Sequence, residues 1–408
     1  MTETLDAWTT IDGDSEHYLG WRVERLRSLA ERLLARAVPL LSVVPRAAAV
    51  ETKLVLADVL RRDIEAIDLL RTRIHELGDG WEPAWTPPER PAGAALDLAR
   101  ATTGTEVLRR LADGAGELRR AVDAAGDLPA VLDEPTRDVL ARVRLLLDQS
   151  VAAAARTTPA PEELDVVAAP ADPARPMSQP PLPARDARFT LLDPGTPIKH
   201  PLAELAPAAQ AGYVAQWLLI SLEIPTIEFC CRAIQTYDFP FAFVRDMNRQ
   251  LWDEVRHGQA FLQHSLAMDV PLGEAPATLQ LWLATDVDQP ELALAIHQRL
   301  GERIGIESAF SHVRLWRGLG DDRTAELFAV VAQDEIGHVA IGNRWVRHRS
   351  ASEDVPRLDE RARERRAEFS IASVPRGFEP EAYRRAGFTD EEIELIRLAY
   401  QDVQRAAA

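Results

Sequence analysis

Two stretches of this chain, Asp253-Glu254-Val255-Arg256-His257 and Asp334-Glu335-Ile336-Gly337-His338, share the pattern Asp-Glu-x-x-His. On a helix, a carboxylate and an imidazole three residues apart share a face, with Cβ atoms about 5–6 Å apart, so both can reach one ion. Two such helices facing each other, with one glutamate from each of two more, supply four carboxylates and two histidines. That set holds two iron or manganese ions inside a four-helix bundle. A single Glu-x-x-His on a helix is commonly a solvated pair. Two copies, each preceded by Asp and each on an apolar stripe, point to a metal site.

The helix before each motif offers two glutamates, Glu223 or Glu228 and Glu302 or Glu307. Five residues turn a helix by about 500°, leaving the two side chains roughly 140° apart, so only one of each pair faces the ions. In an antiparallel hairpin, residues equidistant from the turn lie level. Counting from Phe239, Glu223 is 16 residues back, while Glu254 and His257 are 15 and 18 forward. Counting from Gly320, Glu302 is 18 back, while Glu335 and His338 are 15 and 18 forward. Glu228 and Glu307 lie off that level by roughly 6–10 Å at about 1.5 Å per residue. The expected ligands, which are also the expected catalytic set, are therefore Glu223, Glu254, His257, Glu302, Glu335 and His338, with Glu228 and Glu307 as the fallback pair.

The ligands interrupt core stripes. Met247, Leu251, Glu254, His257 and Phe261 follow at helical steps, as do Phe328, Val331, Glu335, His338, Gly342 and Trp345. Carboxylates buried there without protonation need compensating positive charge, which two divalent ions provide. Asp253 and Asp334 are expected to accept imidazole N–H bonds and fix the tautomers, either from their own histidines or from those across the bundle. Arg256 is the expected counter-charge. His264, His297, His312 and His348 lack comparable partners. Gly301, Gly305, Gly337 and Gly342 either leave room for a substrate or allow close helix contact.

The elements that must position these residues read as helices throughout: Ala, Leu, Arg and Glu dominate, and no strand-like alternation is present. The expected fold is all-α. Residues 1–156 read as an N-terminal helical bundle with breaks near Pro39–Pro45, Gly78–Pro91 and Gly126–Pro135, and with a helix start at Asp133-Glu134-Pro135. Residues 157–201 carry eleven prolines and read as an extended linker. Residues 202–349 form the four-helix bundle with the motifs. Residues 350–408 form a helical tail whose last helix opens on a capping box at Thr389.

From Glu223-Ile224-Pro225-Thr226-Ile227-Glu228, the two Asp-Glu-x-x-His motifs, the continuation of the second through Val339-Ala340-Ile341-Gly342-Asn343-Arg344-Trp345, and the tail Phe378 to Thr389, the second half of the chain resembles the ferritin-like superfamily of carboxylate-bridged di-metal proteins. More narrowly, it resembles an uncharacterised bacterial ferritin-like family, a domain of unknown function related in fold to tRNA-hydroxylating di-iron enzymes. That family often has a histidine two residues before the first glutamate, where this chain has Ser221. Pro225 frees the Ser221 carbonyl and is expected to kink or bulge the helix beside Glu223.

The resemblance implies a non-haem di-iron oxidase or oxygenase that uses O2 to oxidise a small organic substrate. Its cofactor would be two iron ions, with a Mn/Fe pair as the variant that the same ligands accept. The alternatives are a ferroxidase or iron-handling ferritin-like protein and a tRNA-modifying hydroxylase. A net charge of −17 and the lack of a basic cluster argue against nucleic acid. The apolar runs fall short of the roughly 20 residues of a membrane span, and the acidic start is unlike a secretory signal. A cytoplasmic protein with no membrane partner is expected, and a homodimer is compatible with the sequence. Cys230 and Cys231, adjacent on a helix, are poorly placed for a disulfide and read as inert thiols.

Overall fold

The computed structural model describes residues 15–89, 93–126, 133–156, 160–196, 200–351, 354–371, 373 and 375–407. Among them the regular structure is helical, and pairing between extended segments is limited to the isolated bridges Ala47–Val167 and Leu191–Ala277. The chain forms two compact units. The first is Met1–Asp186 with Ile234–Asn248, and the second is Ala187–Ala233 with Arg249–Ala408.

In the first unit, α1 (Ser15–Arg46) packs on α2 (Val50–Glu76), and α2 on α5 (Glu134–Arg156); α3 (Gly93–Ala99) and α4 (Gly104–Ala125) complete the layer. The break expected near Pro39–Pro45 falls just past both prolines, at residues 47–49, because α1 runs through them before it ends at Arg46. A proline in a helix interior costs about 3 kcal/mol. Here Ala37, Val38, Leu40, Leu41, Val43 and Val44 are all buried, and at about 1.5–3 kcal/mol for each large aliphatic side chain their burial outweighs it. Asp133 caps α5 through the Thr136 N–H, as the sequence signal indicated. The expected breaks at Gly78–Pro91 and Gly126–Pro135 fall partly outside the described residues. The proline-rich stretch is held along this unit by Ala48 N–H to Val166 O, Ala168 N–H to Arg46 O and Val50 N–H to Asp186.

In the second unit, α6 (Pro207–Leu218) and α7 (Ile224–Thr236) form one continuous helix through a π-helical segment, Leu219–Glu223. That helix is long and apolar enough to cross a membrane by length and composition, yet 89% of its most apolar stretch is buried inside the protein. The long α8 (Phe241–Ala267) carries the first motif. The short helices α9 (Gln280–Ala284) and α10 (Pro290–Leu294) follow, and α10 runs through a second π segment, Ala295–Gly301, into α11 (Glu302–Gly318). The second motif lies on α12 (Asp322–Arg349), which packs along α11. The tail forms α13 (Val355–Glu368), α14 (Pro380–Arg385) and α15 (Asp390–Ala407). Thr389 and Glu392 exchange the two bonds of the expected capping box.

Gly342 of α12 lets the second π segment approach, because a Cβ there would sit 2.7 Å from Gln298 Cβ. Gly305 faces the Glu302 and Glu335 carboxylates, with room for a Cβ at ordinary contact distance. The tail anchors on the second unit through a core of Ile306, Ile336, Val339, Tyr383 and Phe388.

Candidate metal centre

The six side chains singled out by spacing converge in the second unit, and all six are buried. Their donor atoms form two overlapping groups, Glu223–Glu254–His257 and Glu254–Glu302–His338, each within 4.8 Å. His257 Nδ1 lies 3.4 Å from Glu223 Oε2 and 3.5 Å from Glu254 Oε2. His338 Nδ1 lies 3.2 Å from Glu254 Oε1 and 3.1 Å from Glu335 Oε2. The second oxygen of Glu335 reaches back to within 4.0 Å of His257 Nδ1. Glu254 and Glu335 thus each turn one oxygen toward each histidine, whereas Glu223 stands by His257 and Glu302 stands in the group of His338.

The two aspartates settle the orientation of the rings, each serving the histidine of the other motif. His257 Nε2–H donates to Asp334 Oδ2 at 3.1 Å, and His338 Nε2–H to Asp253 Oδ2 at 3.4 Å. Both Nδ1 atoms are thereby aimed at the carboxylates. Arg256 ties the pair of aspartates together, bonding Asp253 and, at 2.8 Å, Asp334 Oδ2; Arg249 adds a contact to Asp253 at 3.1 Å. Burial tends to raise the Asp334 carboxyl, but its bonds to His257 and Arg256 hold it at about 2.

Electrostatics inside the cluster are those of crowded acids. Burial, then the Glu254 charge, pushes Glu223 well above the ordinary carboxylate range, and burial with Glu335 and Glu254 does the same to Glu302. Burial also tends to raise Glu254, but His338 and His257 hold it below that range. Burial would lower both histidines, yet the carboxylates around them push both well up. The charges therefore need protons or a cation to coexist.

The donor set fits metal ions. Glu223 Oε2 and His257 Nδ1 are buried and make no hydrogen bond, although they face each other. Two donors each about 2.1 Å from an ion, at angles of about 90–110°, lie about 3.0–3.4 Å apart, close to the spacing seen here. Oxygen and imidazole donors without thiolate suit iron or manganese.

The fallback glutamates stand elsewhere. Glu307 is tied to Arg303, to the Tyr383 hydroxyl at 2.8 Å and to the Arg376 N–H at 2.7 Å, so it anchors the tail. Glu228 is fully buried but belongs to neither donor group. Among the remaining histidines, His264 bonds Thr324, His312 stacks on Phe328 and His348 lies edge-on to Trp345. His297 differs from the expectation, because its Nε2 lies 3.3 Å from Glu302 Oε1 and burial lowers it to about 3, which keeps it neutral. Gln250 was also missed. Its amide donates to Glu254 Oε1 at 3.1 Å and Glu302 Oε1 at 2.9 Å. A polar residue one turn before Glu254 on the same face was the available signal. Cys230 and Cys231 are buried free thiols.

The first unit contains a cavity of about 580 Å³ lined by Arg32, Arg36, Leu98, Arg110 and Leu118. Its arginines are paired, Arg32 with Glu117, Arg36 with Asp63 and Arg110 with Glu106.

No curated protein and no solved structure matches this chain. Residues 138–394 match the profile of a family described as "Protein of unknown function (DUF455)". The match reaches further back than the resemblance in the second half, taking in most of α5 and the proline-rich stretch, and it includes every residue of the centre. Since it spans well over half of the sequence, the chain belongs to the DUF455 family.

Proposed function

We propose that this protein is a non-haem di-iron oxidase or oxygenase that uses O2 to oxidise a small organic substrate, on a ferritin-like arrangement of the four motif-bearing helices. The reading rests on one observation above the rest. Four buried carboxylates and two imidazoles meet with both Nδ1 atoms aimed inward by aspartates of the opposite motif.

Glu223, Glu254, His257, Glu302, Glu335 and His338 would hold two iron ions, which supply the electrons for reducing dioxygen. The chain's own part is positional. Asp253 and Asp334 orient the rings and raise their basicity, while Arg256 pairs with both aspartates. Glu254 and Glu335, each with one oxygen toward either histidine, would offer a donor to both ions. The burial of all six excludes water from the reacting site.

Anaerobic loading with ferrous iron, followed by oxygen, tests the proposal. Two irons per chain, oxygen uptake and the optical bands of an oxidised dinuclear centre are the expected result. Glu335→Gln should lose them, whereas Glu307→Gln, outside the set, should retain the metal while losing about 3–5 kcal/mol of stability from its broken buried pair with Arg303. One iron per chain, or none, would overturn the proposal.

A further inference from the structure

The two halves of the centre are alike in ligands and unlike in what surrounds them. Aligning the motifs pairs Gln250 of α8 with Val331 of α12, and aligning the two leading glutamates pairs Gln298 with Leu219 and His297 with Leu218. All six of these residues are buried. Three polar side chains therefore stand at positions where the other half carries aliphatic ones.

Their contacts concentrate on one ion position. Gln250, with no exposed surface, places its amide nitrogen between Glu254 Oε1 and Glu302 Oε1 at 3.1 and 2.9 Å. Its orientation is set by Gln298 Nε2, which donates to the Gln250 carbonyl at 2.5 Å. An amide turned the other way would present oxygen to two carboxylates and leave the Gln298 N–H without this acceptor. On the other side, Glu223 Oε2 and His257 Nδ1 make no hydrogen bond. The aspartate–histidine bonds do not account for the difference, because both histidines have one.

We propose that Gln250, braced by Gln298, makes the two metal positions unequal, presetting the Glu302–His338 position so that it fills before the Glu223–His257 position. Donors held in place beforehand bind without a further ordering cost. Loss of such an outer partner typically weakens metal affinity about 10–100-fold. The Glu223 carboxylate has no such amide donor on its Oε2. The inference rests on the dinuclear reading above and names Gln250 as a positioning residue of that site.

Anaerobic titration of the full chain with cobalt(II), followed through its ligand-field absorption bands, tests it. The wild type should bind in two resolved steps, with Glu302→Gln losing the earlier and Glu223→Gln the later. Gln250→Val, which installs the residue found at the matching position of α12, should weaken the first step about 10–100-fold, so that the two steps merge. Gln298→Leu leaves Gln250 in place but free to turn; it should weaken the same step by a smaller factor and carries the test if Gln250→Val fails to fold. Two cobalt ions taken up in one unresolved step by the wild type, or a first step unmoved in folded Gln250→Val, would sink this inference and leave the dinuclear reading standing. Absence of cobalt binding to the wild type would sink both.

Discussion

His257 and His338 each place Nε2 on an aspartate of the opposite motif and turn Nδ1 toward the carboxylates, 3.5 Å from Glu254 for His257 and 3.2 Å for His338. Spacing in the sequence identified the six side chains and the two aspartates, because i, i+3 geometry is local. Which aspartate serves which histidine is a property of two packed helices, and no count along one helix contains it. For the same reason Gln250 and His297 escaped notice, since their partner Glu302 lies on another element or across a π turn. The cross-motif bonds make a definite forecast: Asp334→Asn should weaken metal binding through His257 about 10–100-fold and Asp253→Asn through His338. Each variant read by isothermal calorimetry should leave the other position near its wild-type affinity; equal damage to both positions would contradict the pairing. His312 makes a second forecast, away from the centre. Burial lowers it to about 4 from an ordinary value near 6.5. A depressed histidine is neutral in the folded state, so the unfolded chain binds more protons between these values. Its contribution to stability is full above about pH 6.5 and is lost as pH falls toward 4. Because the ring is only partly buried, the loss should be roughly 1–3 kcal/mol. Denaturant unfolding of the wild type and His312→Gln across that range checks it; a wild-type-minus-variant difference that does not change with pH would refute it.

At the scale of elements, helix ends were legible where side chains cap them, as at Asp133 and Thr389, and where turns carry Gly or Pro, as at Pro240 and Gly320. The run of α1 through Pro39 was not legible, because burial on all sides decides it. The π segments divide in the same way. Pro225 lacks an N–H for the Ser221 carbonyl, which gives a sequence reason for the distortion at Leu219–Glu223. Ala295–Gly301 has no proline, and its π turn goes with the close approach of Gly342 to Gln298 and Arg299. Both segments end at or just before a candidate ligand, Glu223 or Glu302, consistent with the frequent placement of π turns at functional sites. A π turn holds one residue more than an α turn, so removing one residue restores α geometry and turns the flanking faces against each other by about 100°. Leu222 is 39% exposed and is the residue whose removal disturbs packing least. The flanks cannot rotate, because Ala211, Ala215 and Leu218 on one side and Ile227, Cys230 and Ile234 on the other are buried. Deleting Leu222 should therefore displace Glu223 and its neighbours. The expected outcome is loss of one of the two ions with far-UV circular dichroism unchanged; two ions retained in the deletion variant would show that the π turn does not position Glu223.

At the scale of the whole molecule, the centre lies in one unit while the chain that builds it passes through both. The hairpin Ile234–Asn248, between the helix carrying Glu223 and the helix carrying Glu254, belongs to the first unit. Within that unit Arg245 pairs with Asp68 at 2.9 Å, Asn248 donates to Arg61 O at 3.1 Å, and Gln235 donates to Met177 O at 3.0 Å. Phe241 packs against Trp85 with ring centroids 6.3 Å apart and lies beneath Arg71. The family match, residues 138–394, takes in part of the first unit as well as the second. A chain beginning at Ala187 would keep all six candidate ligands yet lose every one of these hairpin partners. Ile234, Phe241, Phe243 and Val244 are buried, and exposing even part of that surface, at about 1.5–3 kcal/mol per side chain, approaches the roughly 5–15 kcal/mol stability of a folded domain. The truncated chain should therefore aggregate or melt far below the full protein, and its iron content should fall because the turn that sets Glu223 level with Glu254 is no longer held. Size-exclusion chromatography with metal analysis decides the matter. A monodisperse fragment carrying two irons would mean that the hairpin is held by the second unit alone and that the first unit is dispensable for building the centre.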